Sequence, residues 1–429
     1  MAWWITICSG RGTSPPSVNS SAPTPRGGSP VPSDALGQWV NPFLALPGAV
    51  NSSEADAGVA SHYANPFTEQ RDLIAGVAIV DLSHRAVLSV SGPDRLSWID
   101  SITSQAVKTL APGKPSETLV LDQAGRLQYA VKLLDDGHTL WMLLEASEAP
   151  GLFAWLTSMR FMLRVEVADR TAEFATIGSF GALSLGLEAA APNGVPLVWR
   201  DPWDHVSAGG HQYAAEAEHP ATEWNFSETL LDRASLGGIT TRYPVAGLLA
   251  LEALRIAAWR PRLASEADDK TIPHELDWLR SAVHLNKGCY RGQETVAKVH
   301  NLGHPPRRLV MLHLDGSDAV LPAAGDPVLL PGAAADPAAA DPAAAADPAD
   351  AADHTNTHRV VGHITSAAMH YELGPIALAV IKRSTDAAAV LAVTSAGTMV
   401  SAAQQIIIPT DAGAVANVPR LPRLGAVPR

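Results

Sequence analysis

The residues with the most chemical promise run from Asn286 to Asn301, Asn-Lys-Gly-Cys-Tyr-Arg-Gly-Gln-Glu-Thr-Val-Ala-Lys-Val-His-Asn. They place Cys289, one of two cysteines in the chain, in a glycine-flanked, cationic turn. Lys287 stands two residues before the thiol and Arg291 two after. Positive charge at that range favours thiolate over thiol and makes the sulfur a candidate nucleophile or metal ligand. Gly288 and Gly292 bracket Cys289-Tyr290-Arg291 and allow a tight turn or a close backbone approach by a ligand. From Gln293 onward, Val296, Val299 and Leu302 predict a short element packed on one side. A polar loop buries little, so removal of Cys289 or Lys287 is expected to cost less than about 1 kcal/mol of stability.

Other candidate chemistry is thinner. His300 and His304 have the spacing of two zinc ligands on a helix, but Gly303, Pro305 and Pro306 oppose a continuous helix and no third ligand stands nearby, so no metal site is predicted. Cys289 with His284 or His300 has the composition of a cysteine hydrolase without a nucleophile-elbow context. One thiolate cannot hold an iron–sulfur cluster, which takes about four, so any cluster would be transient or shared with a partner. No Walker A or dinucleotide fingerprint stands in the right context.

The elements that must position these residues begin, on the apolar pattern, with a folded block near Phe67. Ala86–Ser91 reads as a strand, Gly92-Pro93-Asp94 as a turn into a helix, and Leu96, Ile99 and Ile102 as that helix's apolar face. A meander follows: residues 118–121, an Asp122–Gly125 turn, 127–134 with alternation at Leu127, Tyr129, Val131 and Leu133, then 139–144. Ser147 is the expected N-cap of a helix carrying Leu152, Trp155, Leu156 and Met159. Strands and helices in this order predict an α+β architecture.

The chain has 429 residues, 47% of them hydrophobic and 17% charged, which fits two or three globular domains. A net charge of −12 argues against a dedicated nucleic-acid binder and against direct nucleic-acid contact as the function. Residues 284–308 are locally cationic, with Lys287, Arg291, Lys298, Arg307 and Arg308 against Glu294, a setting for a small polyanion. Cys8 and Cys289 cannot build a disulfide framework, which points to a reducing, cytoplasmic setting. The N-terminus lacks a basic region and a cleavage site, and no apolar run approaches the roughly 18 residues that cross a bilayer, so no membrane association is expected. Residues 1–40, rich in Ser, Pro and Gly, read as a disordered tail that could precede the true translation start. The Ala/Asp/Pro tract at 333–358 reads as a flexible insertion in a surface loop. The resulting division is 1–40 tail, 41–284 α+β region, and 285–429 signature loop and C-terminal domain.

Lys287, Gly288, Cys289, Tyr290, Gly292, Gln293 and Glu294 match every fixed position of the YgfZ signature, Lys-Gly-Cys-Tyr-x-Gly-Gln-Glu, and the chain resembles that family, a branch of the glycine-cleavage T-protein (GcvT) superfamily. Further similarity lies in Gly92-Pro93-Asp94-Arg95, Leu254-Arg255-Ile256 with Arg260-Pro261-Arg262, Thr271-Ile-Pro-His-Glu275, and Gly362–Ser366 leading to Leu373–Lys382, covering about 67–385. The resemblance implies a T-protein-like fold with two interleaved α/β subdomains and a C-terminal β-barrel. It also implies a tetrahydrofolate or derivative as cofactor, and an accessory role in iron–sulfur cluster assembly or repair that supports tRNA modification through client or assembly proteins. Cys289 would be the reactive thiol, Lys287 the charge that keeps it deprotonated or contacts the folate tail, and Tyr290, Gln293 and Glu294 the orienting shell. Gln105 and Arg255 would bind folate in a central cleft.

The related aminomethyltransferases carry Thr-Asn-Asp where this chain has Thr103-Ser104-Gln105, and Gln105 cannot ionise to do that aspartate's work. Their Gly-Tyr-Glu strand falls at Gln212-Tyr213-Ala214. The latter departure would hold the pterin differently or less tightly, while Gln105, together with Cys289 where the transferases carry Lys-Gly-x-Phe-Ile-Gly, favours an accessory protein over an enzyme. The alternatives are a tetrahydrofolate-dependent aminomethyltransferase or demethylase, and a folate-binding scaffold in which Cys289 is dispensable.

Overall fold

The computed structural model describes residues 39–181, 186–215, 219–317, 319–331 and 358–417. Most of the proposed tail, the bulk of the Ala/Asp/Pro tract and Cys8 lie outside the described residues. The fold starts earlier than Phe67. Asn41 donates to the Asp81 carboxylate at 2.6 Å and to the Gly58 carbonyl at 2.8 Å, and Phe43 is fully buried.

Among the described residues, two five-stranded sheets, a closed barrel and a two-stranded ribbon, Val50–Asn51 with Ala60–His62, make up the β-structure. The chain lays Ile79–Asp81 into one sheet, leaves to build the whole of the other from Ala86–Ser91, Pro115–Leu121, Leu127–Asp135, Thr139–Leu144 and Glu166–Asp169, and then returns. Phe174–Phe180, Val198–Arg200, Phe226–Asp232 and Val245–Ala246 complete the first. The two α/β subdomains are therefore interleaved, as expected. Val245–Ala246 pairs parallel with Ile79–Val80 and leads straight into the helix Leu248–Ala257.

Thr139–Leu144 and the Leu133-Leu134 end of its neighbour are apolar on both faces because both faces are covered, whereas earlier in Leu127–Asp135 the expected alternation holds, with Leu127 and Val131 buried and Gln128 exposed. Leu140, Met142 and Leu144 pack under the helices Arg95–Ile102 and Ala149–Met159, while Trp141 and Leu143 point to the other sheet. There Trp141 meets Phe174 edge-on at 4.9 Å. Burial on both sides replaces alternation with a continuous apolar run, which is why Leu133 and Leu134 are equally buried. The second helix differs from its sequence reading. Its N-cap is Glu148 rather than Ser147, and Met159 is exposed.

The C-terminal barrel closes six strands in the order Arg307–Leu314, Gly374–Lys382, His358–His370, Pro327–Pro331, Leu391–Ser395, Thr398–Ile406. Val310, Leu312, Val361, Ala379 and Val393 are among the residues that fill it. A large central cluster joins helix Leu248–Ala257 and the sheets to the barrel's outer face through Leu309, Met311, Leu378 and Val380.

Candidate functional site

The signature residues 286–294 form a loop that ends on Gly292 and starts the helix Gln293–Leu302. Gly292 has a φ of +83°, and a Cβ there would lie 2.6 Å from the Asp122 carbonyl oxygen. Gly125 (φ +79°) faces it, with room for a Cβ denied by Thr295. The Asp122–Gly125 turn and the signature loop thus interlock through two glycines, so at Gly292 the close approach is made by protein backbone where the sequence suggested a tight turn or a ligand. Gly288 meets nothing comparable. In the helix, Val296 and His300 are buried while Leu302 is exposed, so the packed face differs from the one expected.

Lys287 is pinned rather than free. Its ammonium donates to the carbonyls of Thr103 and Gln105, each at 2.8 Å, and to that of Asp100, with the Asp100 carboxylate 3.7 Å away. It closes the C-terminal end of helix Arg95–Ile102 and leaves 4% of its side chain exposed. Burial lowers its pKa against the opposing pull of Asp100. Three carbonyls accept from it, which argues for a larger stability cost on its removal than the small buried area of the loop implied. Gln293 donates to the Lys287 carbonyl at 3.2 Å, and Tyr290 packs into the central core with its hydroxyl buried and unpartnered. Cys289 and Glu294 are exposed.

Gln105 sits beside this loop. Its amide donates to the Ser281 carbonyl at 2.9 Å and accepts from the Ala106 backbone at 2.8 Å. Arg255 lies elsewhere, saturated by protein. It donates to Glu252, to Glu266 at 2.9 Å, to the Arg260 carbonyl at 2.7 Å and to Ser366 of the barrel at 2.9 Å. The candidate residues therefore fall into an exposed pair, a pegged loop and one cavity residue. The cationic patch also disperses: Arg307 pairs with Asp268 and Glu275, and Arg308 is buried. Gln212-Tyr213-Ala214 forms a loop instead of a strand, with the Tyr213 hydroxyl 3.1 Å from His300 Nδ1. His304 bonds the Ala412 carbonyl instead, so the two spaced histidines face different partners.

Arg255 opens onto a cavity of about 70 Å³ with room for several water-sized groups. Trp224, Phe226, Trp278 and Leu251 line part of it. Its remaining lining is ionic. Arg85 and Lys132 both donate to one oxygen of Glu228 at 2.5 Å, Arg260 bridges Glu117 at 2.6 Å and Asp201 at 2.9 Å, and Arg262 clamps Glu145. These pairs leave four buried atoms of lining residues without a partner, Arg85 Nε, Arg260 Nη1, Glu228 Oε2 and Glu148 Oε2. Buried polar atoms left unpaired cost about 1–3 kcal/mol each, so orphans gathered in one cavity mark a place for a polar guest. Lys132 and Glu228 are the sequence signal for it, each a charge at a mid-strand position.

Among the described residues, Asp56, His84 and Glu145 form the one group whose ligand atoms all lie within 4.8 Å of one another. Arg262 already sits on both carboxylates, donating to Asp56 at 2.5 Å and to Glu145 at 2.8 Å. The arginine supplies the positive charge that a metal would bring.

A mixed α/β body with two interleaved sheets and a closed six-stranded barrel defines the class, and comparison with known proteins agrees. Residues 57–188 match the GCVT N-terminal domain. The chain is 25% identical over 294 residues to an aminomethyltransferase of Symbiobacterium thermophilum, spanning 63% of this chain and 76% of that one. It is 27% identical over 277 residues to an aminomethyltransferase of Thermotoga maritima, spanning 59% and 72%. The crystal structure of glycine cleavage system aminomethyltransferase T from Bartonella henselae has the same fold, with a TM-score of 0.62 at 15% identity over 85% of this chain and 94% of that one. The sequence similarities set this chain beside aminomethyltransferases, and the structural likeness shows the fold they share. Among the described residues, no helix is long and apolar enough to cross a membrane.

Proposed function

We propose that this protein is a cytoplasmic folate-binding accessory factor of the YgfZ type, supporting assembly or repair of iron–sulfur proteins and, through them, tRNA modification. The observation that carries the reading is the cavity, where unpaired donors and acceptors stand beside aromatic side chains. A flat heterocycle bearing both kinds of hydrogen-bonding group, such as the pterin of tetrahydrofolate, fits that chemistry. Arg85 Nε and Arg260 Nη1 would donate to it, Glu228 Oε2 would accept, and Trp224 and Phe226 would cover it. Arg255 holds the wall in place through Glu252 and Glu266. Tetrahydrofolate supplies one-carbon or reducing chemistry when bound. Cys289, exposed on a loop held by Lys287 and the glycine interlock, is the group available to a client or assembly protein.

A transferase reading draws support from the relatives' names. Against it, the Gln105 side chain is engaged at both ends by backbone and stands outside the cavity lining. Calorimetry with tetrahydrofolate under anaerobic conditions tests the proposal. The expected result is saturable binding tighter than about 1 mM, equivalent to roughly −4 kcal/mol; weaker binding removes the folate claim. Robust turnover of an aminomethylated lipoyl carrier would replace it with the transferase reading.

A further inference from the structure

Glu148 is the carboxyl of the cavity that no cation claims. It stands at the N-cap of helix Ala149–Met159, lines the cavity, and keeps Oε2 buried without a partner. The cations near it are committed. Arg262 spends its Nε and both Nη atoms on Glu145 and Asp56, and Lys132 donates to Glu228. Glu145, three residues away, is ionised: burial pushes it up, but Arg85 and Arg262 hold it down at about 2.

The lining carries Arg85, Lys132, Arg255, Arg260 and Arg262. Opposite them stand Glu117, Glu145, Asp201, Glu228 and Glu252, so the set balances before Glu148 is counted. A sixth negative charge would be uncompensated in a buried space, and such a charge is removed by protonation.

We propose that Glu148 faces the cavity as a neutral carboxylic acid and donates its proton in a hydrogen bond to an acceptor on the bound ligand, selecting a ligand that presents a carbonyl or ring nitrogen there. The ligand class rests on the folate reading, but the protonation state does not. Burial, followed by the Glu145 charge, pushes Glu148 up to about 8, while the Ala130 backbone, Lys132 and Arg262 pull it the other way. The neutral form therefore prevails at and below neutral pH. Once ionised, the group is acceptor-only and repels the same ligand atom.

Calorimetry of the full chain with tetrahydrofolate from pH 6.5 to 9.5 tests this, alongside infrared difference spectra of the ligand-free protein over the same range. Wild-type affinity is expected to fall about tenfold or more through pH 8, the loss of one buried hydrogen bond. Glu148→Gln, which keeps a donor that cannot ionise, should bind at every pH like the wild type at pH 6.5, and Glu148→Met should be weak throughout. Besides the band that buried Asp277 loses near pH 7 in both proteins, the infrared spectra should show in the wild type a second protonated-carboxyl band, lost on raising the pH through about 8 and missing from Glu148→Gln. Binding by Glu148→Gln with the wild-type pH profile, or the second band change in both proteins, overturns the proposal. Absence of tetrahydrofolate binding at any pH, with the second band change present in the wild type alone, removes the folate reading and leaves the neutral acid established.

Discussion

Lys287 carries the sharpest difference between what spacing implies and what packing does. Two residues from Cys289 along the chain, its charge reads as a thiol activator, yet the ammonium is directed onto three backbone carbonyls at the end of helix Arg95–Ile102. A sequence shows the distance between residues along the chain, but not which unpaired carbonyls another element brings within reach. Gly292 was legible because a positive φ and a close backbone are what glycine permits, whatever the partner. Glu148 was not, since one carboxyl in a helix entry looks like any other until its neighbours' charges are paired off. Lys287→Met, which keeps length and removes the donors, should lower stability by about 2–4 kcal/mol. Urea unfolding checks this, and a loss below about 1 kcal/mol would mean that water replaces the ammonium at those carbonyls.

At the level of elements, periodicity located most strands and the helix entries, and it erred where both faces are covered or where a cap was assigned by residue type alone. Ala86–Ser91 and Thr139–Leu144 coincide with the expected spans. The barrel order could not be read locally, because closure joins Arg307–Leu314 to Thr398–Ile406 across most of the domain. The Ala/Asp/Pro tract is bounded by strands that face each other, with Pro331 opposite His358 in the antiparallel pair Pro327–Pro331 and His358–His370. Residues 332–357 thus connect two neighbouring strand ends, a task that a short turn performs equally well, and loop-closure entropy changes only slowly with length. Replacing 332–357 by Asn-Gly, a turn suited to a two-residue hairpin connection, should leave the melting temperature within about 4 °C of the parent. A larger fall in calorimetry would show that the tract packs on the folded body.

For the molecule as a whole, stability should depend on pH through groups buried where the subdomains meet. Burial pushes Asp277 up to about 7 and drives His219 and His274 down to about 3, with Arg280 adding to the effect at His219 and His300 to that at His274. A raised carboxyl stabilises the fold below its unfolded value near 4, and that contribution is lost as pH climbs through 7. The two histidines act in the opposite sense: the unfolded chain takes up protons that the fold refuses as pH falls from about 6.5 toward 3, so stability drops with acid. Asp277 also has a left-handed backbone (φ +54°), which asparagine tolerates. Asp277→Asn should therefore raise the melting temperature at pH 8 by about 4 °C or more and change it little at pH 5. An equal shift at both values would assign the effect to packing instead of charge. None of this was visible in the chain, where fifteen histidines and forty-three acidic residues give no sign of which are buried.

The cavity's aromatic wall has an optical consequence. Trp224 and Trp278 line the space in which the ligand is proposed to sit, Trp278 donating from its indole to Glu117 at 3.1 Å and Trp224 to Asp201 at 2.8 Å. Both indoles are buried and held by carboxylates that belong to the cavity's own ion pairs. Any guest that reorganises those pairs alters the field across two chromophores, so the emission of the unlabelled protein becomes a direct gauge of how full the cavity is.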